Sequence, residues 1–289
     1  MIRIGIYGYE CTKEAIFDSY KIIPVSNDHS KVSKLSSDQN IYNLTAFLEV
    51  DNETTIDLRQ LIFDLEAVLS FIDQKDIIVA NILNDSAEYD QLGDDYPNFL
   101  SGHYRHNGGG QVIMSDVFSK DSRKIFIDLA MSKLTDKSDT NNKTFRSAFF
   151  KTIEVFRAKE SFIDVSYYLL FSALESLCRA VFNNYSSKNC SEPIAKLLSQ
   201  YGFDISQDDN TNLYKSVSTY AHLRNALFHN GKFEKEVNIN GSVTKLELST
   251  YYPQFKGLMP LVMMKYIGFD DGYINWNSWI DRIAFKSKG

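Results

Sequence analysis

A short run in the last third of the chain carries the residue types that metal-free RNA cleavage requires. Arg224 and Asn225 are followed by His229, and Asn230-Gly231 comes directly after it. RNA is cut without a metal when its 2′-hydroxyl attacks the neighbouring phosphate, and an imidazole with a pKa near neutral can transfer the proton. A planar guanidinium can stabilise the charge on the phosphate oxygens. These residue types predict that Arg224 binds phosphate, that Asn225 orients the reacting groups by hydrogen bonding, and that His229 transfers a proton.

The spacing of this Arg and His is weak evidence by itself, because chance supplies ~0.5 such pairs in a chain of this composition. A helical wheel adds context. With Leu213 at zero, Arg224 falls in the middle of the apolar face, whereas His222, Asn225 and His229 share a separate polar stripe. An unpaired buried charge costs several kcal/mol, so we expect Arg224 to be paired with a carboxylate or to act in the function of the protein.

A carboxylate in a second segment is the predicted partner of Arg224. Glu175 is the only charged residue in Val165–Cys178, and a helix so apolar is expected at the centre of its bundle. Structural alternatives stay open beside catalysis. Arg224 and Glu175 can form a salt bridge that holds two helices in register, and His229 can stabilise a helix C-terminus through the helix dipole. His222 is an auxiliary candidate, first read as a surface or interface residue.

The pattern of apolar residues changes near residue 140. Before it, strands are predicted at Met1–Tyr7, Ile41–Val50, Ile77–Ile82 and Gln111–Met114. A helix is predicted at Asp57–Asp73 with Asp57 as its N-cap. Thr135–Lys143 contains no apolar residue and is the predicted linker. The fold class is therefore α+β, with a mixed, β-rich domain at 1–140 and a helical domain at 141–289.

Helical periodicity dominates the second domain. Helices are predicted at Thr144–Ala158, Ile163–Phe182, Glu192–Tyr201, Asn210–His229 and Gln254–Tyr266. Asn240-Gly241 between two β-prone runs predicts a β-hairpin inserted in this helical domain. Trp276 and Trp279 in the aromatic tail are read as packing residues.

Two segments of this domain carry a family resemblance. The helix YYLLFSALESLCRAVF, followed about forty residues later by YAHLRNALFHNGK, resembles the HEPN domain and its Apea-like branch in particular. The resemblance covers about residues 143–235. The motif spacing matches without an insertion, so Arg224, Asn225 and His229 correspond to the family's Arg-polar-x-x-x-His motif. The resemblance implies an all-α bundle that forms a homodimer and brings two motifs to one cleft.

The resemblance also implies an activity. Many HEPN domains are metal-independent endoribonucleases in toxin, CRISPR and abortive-infection systems, and Apea-like members are associated with defence against phage. We expect cleavage of RNA, with tRNA as the suggested substrate, to 2′,3′-cyclic phosphate and 5′-hydroxyl ends. The N-terminal domain would bind an inhibitor, sense a phage-derived trigger or select the substrate. The alternative is a non-catalytic HEPN adaptor that dimerises within a defence assembly.

Composition limits the other classes. The chain has no apolar run of membrane-spanning length and no signal peptide pattern, which predicts a cytoplasmic protein without membrane contact. Three widely spaced cysteines indicate neither disulfides nor structural zinc, and no cofactor is expected. The net charge is −6, but residues 143–232 carry 11 Lys and Arg against 8 Asp and Glu. The acidity therefore belongs to the N-terminal domain, and the helical part permits RNA contact.

A glycine-rich loop before Gln111 is the remaining candidate site. His103 and His106 lie three residues apart without a nearby third ligand, so we read them as a polar loop rather than a metal site. The triple glycine that follows lacks the Lys-Ser/Thr of a Walker phosphate loop. A small-molecule enzyme built on the N-terminal domain would have to use this loop, and little else supports that class.

Overall fold

The computed structural model describes residues 1–51, 57–79, 96–102, 110–158, 160, 162–186 and 188–286. The chain divides into two compact units: unit 1 is Met1–Leu134 with Phe156–Glu160, and unit 2 is Thr135–Val155 with Ser161–Gly289. About 49% of the chain is helical and the sheets are antiparallel. The predicted α+β class is therefore confirmed.

Unit 1 contains a six-stranded sheet in the order β2-β3-β4-β1-β5, with β6 also paired to β4. Its strands are β1 Ile2–Tyr7, β2 Ala15–Ile16, β3 Tyr20–Pro24, β4 Ile41–Val50, β5 Ile78–Val79 and β6 Phe99–Ser101. The long β4 lies at the centre and pairs with both β1 and β3. Because successive side chains alternate between the two faces of a strand, the paired residues Ile4 and Leu48 lie on the same face of the sheet as the pair Ile6 and Ala46. All four side chains on this face are fully buried. The predicted strand at Ile41–Val50 is confirmed at both ends.

The described residues of this half of the chain form the helices α1 His29–Ser36, α2 Leu58–Asp73 and α3 Ser122–Thr135. The predicted helix and cap at Asp57 are confirmed, since the Asp57 carboxylate accepts a hydrogen bond from the Gln60 amide at 3.1 Å. Helices α1 and α3 were not predicted. Arg123 and Ser122 are buried in α3, which interrupts the apolar pattern that periodicity depends on.

The predicted strand at Gln111–Met114 is wrong. These residues form no strand; the Val112 amide donates to the Ile72 carbonyl at 3.0 Å, at the end of α2. Ile113 is fully buried there, so the apolar residues cover a helix end rather than extend the sheet. His103 and His106 lie outside the described residues, as do two of the three loop glycines, Gly108 and Gly109.

Unit 2 is built mainly of helices around α5. Its elements are α4 Asn142–Arg157, α5 Ile163–Phe182, α6 Ser191–Gln200, α7 Val217–Asn230, the hairpin strands β7 Glu234–Ile239 and β8 Ser242–Glu247, α8 Leu248–Ile267 and α9 Ser278–Asp281. The end of α4 at Phe156–Arg157 lies in unit 1. Helix α5 packs against α6, α7 and α8, which confirms its predicted central place. The hairpin is also confirmed, with Asn240 and Gly241 both at positive φ.

Two predicted helices in unit 2 differ from the structure by more than two residues at one end. The helix predicted at Asn210–His229 is divided into a 3₁₀ helix, Leu213–Lys215, and α7. Extended backbone at Ser216 separates them, because Lys215 and Val217 both bond to Ser206. Helix α8 begins at Leu248, six residues before the predicted start, and includes Pro253. Burial of Leu248, Tyr251 and Tyr252 stabilises this first part despite the proline.

Helix α5 also bears on the predicted absence of a membrane span. Among the described residues it is the one helix long and apolar enough to cross a membrane by length and composition. Half of its most apolar window is buried inside the protein, and one such helix is weak evidence for a membrane span. The cytoplasmic location stays a prediction.

Candidate functional site

A groove of about 520 Å³ opens on unit 2, beside α5, α7 and the loop before α6. Glu175 comes from α5, and α7 contributes His222, Arg224 and Asn225. The structure therefore brings four of the five predicted site residues to one groove. His229 does not line it.

Arg224 lies at the edge of this groove with 26% of its side chain exposed. Its Nη1 donates to the Asn225 side-chain oxygen at 2.9 Å, and its Nη2 lies 3.5 Å from Glu175 Oε2. The guanidinium stands over the Phe228 ring at 5.0 Å. Its Nε is buried and has no hydrogen-bond partner among the described residues. The predicted pairing with Glu175 is present, but only at the limit of hydrogen-bond length.

Sequence reasoning missed a second arginine on the same carboxylate. Arg179 Nη2 and Nε donate to Glu175 Oε1 at 2.8 and 3.0 Å. The two residues are four apart on α5, the spacing at which side chains of one helix meet. The apolar segment that singled out Glu175 was read only to Cys178, one residue short of Arg179. Glu175 therefore has a partner on its own helix in addition to Arg224.

The two histidines of α7 have different surroundings. His222 lines the groove. Partial burial is the main cause that lowers its pKa and the positive charge of Lys235 is the second, so its imidazole is neutral at pH 7. His229 is exposed in the last turn of α7, one helical turn beyond Asn225. Helix α7 ends there because Gly231 adopts φ of 62° and its amide caps the Leu227 carbonyl.

An exposed apolar patch lies close to His229. Tyr168 on α5 is 52% exposed, and its ring centroid is 4.7 Å from that of Phe228, the residue before His229. Phe162 and Val165, at the start of α5, are 61% and 53% exposed. Large exposed apolar side chains grouped on one helix are typical of a protein–protein contact.

The charges that line the groove balance slightly towards positive. Arg179, Lys188 and Arg224 face Glu175 and Asp208. Among the residues that the structure describes, no group of three or more His, Cys, Asp or Glu side chains is arranged to hold a metal ion. Arg224 can therefore bind a phosphate group in this groove, with the neutral imidazole of His222 nearby.

Unit 1 holds a separate buried ionic cluster around Arg123, which is 2% exposed. Arg123 Nη2 lies 3.2 Å from Asp73 Oδ1 and 3.4 Å from Glu10 Oε1. Burial raises the pKa of the nearby Asp116 to about 6, although the positive charges of Arg123 and Lys13 oppose this. The simplest role of this cluster is to anchor α3 in unit 1.

Comparison of the chain with protein-family models, with curated proteins and with solved structures finds no match.

Proposed function

We propose that unit 2 is a HEPN-type ribonuclease domain that cuts RNA without a metal, and that the chain is a toxin or an abortive-infection effector against phage. The observation that supports this most strongly is the position of Arg224. Its guanidinium is partly exposed at a groove and is held in place by the Asn225 side chain and the Phe228 ring. A cation held in this way can bind a phosphate without first being reorganised.

Each residue of the motif has a distinct task in the proposed reaction. The substrate 2′-hydroxyl loses its proton to an imidazole as its oxygen bonds to phosphorus. The bond from phosphorus to the 5′-oxygen then breaks, and that oxygen receives a proton. Arg224 stabilises the charge on the phosphate oxygens, and His229 transfers the proton. Because the Asn225 side-chain oxygen already accepts from Arg224, its NH₂ group is directed to the substrate.

A second copy of the chain is part of the proposal. The groove of one protomer is lined by His222 but not by His229, whereas His229 lies next to the patch of Phe162, Val165, Tyr168 and Phe228. A homodimer that buries this patch brings each His229 close to its partner's copy. Two motifs would then face one cleft, as the HEPN resemblance implies.

The same patch favours the second candidate, a non-catalytic HEPN adaptor whose helices serve only to dimerise. Under that function, loss of His229 has no consequence, while loss of the patch abolishes activity in the assembly. Unit 1 would in either case receive an inhibitor or a phage-derived trigger, or select the substrate.

The test is cleavage of end-labelled RNA by the purified full chain in excess EDTA, with the product ends analysed for 2′,3′-cyclic phosphate. We expect wild type to cut RNA, and Arg224→Ala and His229→Ala each to lose at least a hundredfold in rate. Lys196→Ala, on an exposed side of α6 outside the groove, is the matched control and should keep full activity.

Growth arrest on expression provides a second measurement. Wild type should arrest growth, and both motif variants should relieve the arrest at equal protein levels. Equal toxicity of wild type, Arg224→Ala and His229→Ala would contradict the nuclease. An inactive wild type that still requires Tyr168 for assembly would favour the adaptor.

A further inference from the structure

We propose that Arg179 is a positioning residue that keeps Arg224 available for phosphate by holding the Glu175 carboxylate. This inference rests on the proposed function, because the ligand is the phosphate of RNA. Neither the HEPN resemblance nor the motif spacing assigns a role to Arg179.

The evidence is an asymmetry in how two arginines share one carboxylate. Arg179 makes two hydrogen bonds to Glu175 Oε1, at 2.8 and 3.0 Å. Arg224 makes one contact to Oε2, at 3.5 Å. Strong charge-assisted hydrogen bonds lie at about 2.7–2.9 Å, and a contact at 3.5 Å is at the outer limit. Glu175 is therefore held mainly by its own helix, and its pull on Arg224 is weak.

The stronger pair is fixed independently of α7. Glu175 and Arg179 are one turn apart on α5, and Arg179 Nη1 also donates to the Asn184 carbonyl at 3.2 Å, just beyond the end of α5. Both side chains are only 16% exposed, so water screens the pair little. The direction of the Glu175 carboxylate is consequently set by contacts at α5 and its C-terminal end, without a contribution from α7.

Arg224 does not need Glu175 to keep its own place. The Asn225 side chain accepts from Nη1 at 2.9 Å, and the Phe228 ring supports the guanidinium from one side. The contact with Glu175 therefore orients Nη2 without occupying the whole guanidinium.

Removal of Arg179 should reverse this balance. A carboxylate without its first partner would recruit the nearest cation, and a guanidinium fits a carboxylate through two parallel hydrogen bonds. Arg224 would then be drawn onto Glu175 with the same donors that phosphate needs. Glu175 would act as an internal competitor of RNA.

This competition predicts a specific rescue. Arg179→Ala should weaken RNA binding because Glu175 captures Arg224. In the double variant Arg179→Ala with Glu175→Gln, the neutral amide no longer competes, so binding should return. A direct contact between Arg179 and RNA, or a purely structural role, predicts no such return.

The experiment measures binding of the full-length chain to a fluorescent RNA that is 2′-O-methylated throughout, which cannot be cut because it has no 2′-hydroxyl. Arg179→Ala should raise Kd about tenfold, and the double variant should lie within about twofold of wild type. Arg146→Ala is the control: Arg146 is on α4 in unit 2, stands over Phe150, and does not line the groove. Its Kd should equal that of wild type.

Cleavage kinetics supply the second readout. Arg179→Ala should raise KM with kcat within about threefold, because the residue acts on binding of the phosphate rather than on proton transfer. Thermal melting of each variant identifies any that fails to fold.

The outcomes separate the inference from the function on which it rests. If wild type binds the RNA and the double variant is as weak as Arg179→Ala, the inference is wrong while the proposed function stands. If Arg179→Ala binds as well as wild type, the inference is also wrong. A wild type without affinity for RNA would overturn the proposed function and the inference together.

Discussion

Arg224→Ala should separate activity from stability, because the structure gives Arg224 little to hold together. The change removes one contact of 3.5 Å to Glu175, an exposed hydrogen bond of 2.9 Å to Asn225, and cation–π contacts of 5.0 Å to Phe228 and 5.9 Å to Phe171. It leaves no bare carboxylate, since Arg179 still holds Glu175 at 2.8 Å. A charge buried without a partner, the usual cause of large losses, is not created.

The magnitude follows from these contacts. A partly exposed ion pair contributes roughly 0.2–1 kcal/mol, a cation–π contact at such a site roughly 0.5–1 kcal/mol, and an exposed hydrogen bond roughly 0.5–1 kcal/mol. The free energy of unfolding should fall by no more than about 3 kcal/mol. At about 2–4 °C per kcal/mol, the Tm should fall by less than about 12 °C. RNA cleavage, by contrast, should fall by 10²–10³-fold, as is typical for removal of one preorganised group that stabilises the transition state.

The assay combines thermal unfolding followed by circular dichroism with single-turnover cleavage in EDTA. Glu175→Ala is an informative companion, since it leaves both guanidiniums without their carboxylate and should cost more stability than Arg224→Ala. Loss of more than about 4 kcal/mol in Arg224→Ala would refute the reasoning and favour the structural salt bridge. A variant that is stable and still cuts RNA within threefold of wild type would exclude Arg224 from catalysis.

Three further predictions follow from particular residues. Tyr168→Asp places a charge in the exposed patch and should convert a dimer into a monomer in sedimentation velocity, with loss of cleavage; a variant that stays dimeric would show that the patch is not the interface. Burial raises the pKa of Asp116 from 3.8 to about 6, so folding favours the protonated carboxyl group. The protonated Asp116 therefore contributes its full stabilisation of the fold below about pH 4, and this stabilisation is lost as the pH rises to about 6. Asp116→Asn should therefore raise the Tm relative to wild type at pH 7 but not at pH 4, and an equal difference at both pH values would contradict this. Gly231→Ala places a Cβ in the left-handed cap of α7, where φ is 62° and, its chain neighbours aside, no described residue has an atom within 4 Å of that Cβ. The change should cost about 1 kcal/mol in chemical denaturation; an unchanged midpoint would show that the cap tolerates a side chain.

Local sequence determined several elements of this protein. The bounds of α5 are Ile163–Phe182 in the sequence pattern and in the structure, because twenty residues of helical periodicity end at Asn183, which adopts φ of 49°. Asn240-Gly241 specifies the turn of the hairpin, and Asp57 specifies the start of α2. In each case the signal lies within a few residues of the feature, since turns and caps are formed by neighbours in the chain.

Distant contacts decided what local pattern could not. The residues of Gln111–Met114 are β-prone, yet they form no strand. They pack over the C-terminal end of α2, which folding brings next to them. The helical pattern predicted that α8 begins at Gln254, whereas burial of Leu248 and Tyr252 extends the helix back across Pro253. Both outcomes depend on which surface lies nearby after folding, and a propensity read along the chain contains no such information.

The candidate site shows the same division. The helical wheel predicted that Arg224 and the stripe of His222, Asn225 and His229 project from different faces of one helix, because those angles depend only on residue spacing. It could not determine which of them another element would enclose. Packing of α7 against α5, with the loop before α6 beside them, placed His222, Arg224 and Asn225 in the groove, left His229 outside it, and set Arg224 as the weaker of two partners for Glu175. A side chain's direction is a local property of the helix, whereas its partners exist only once separate parts of the chain have packed together.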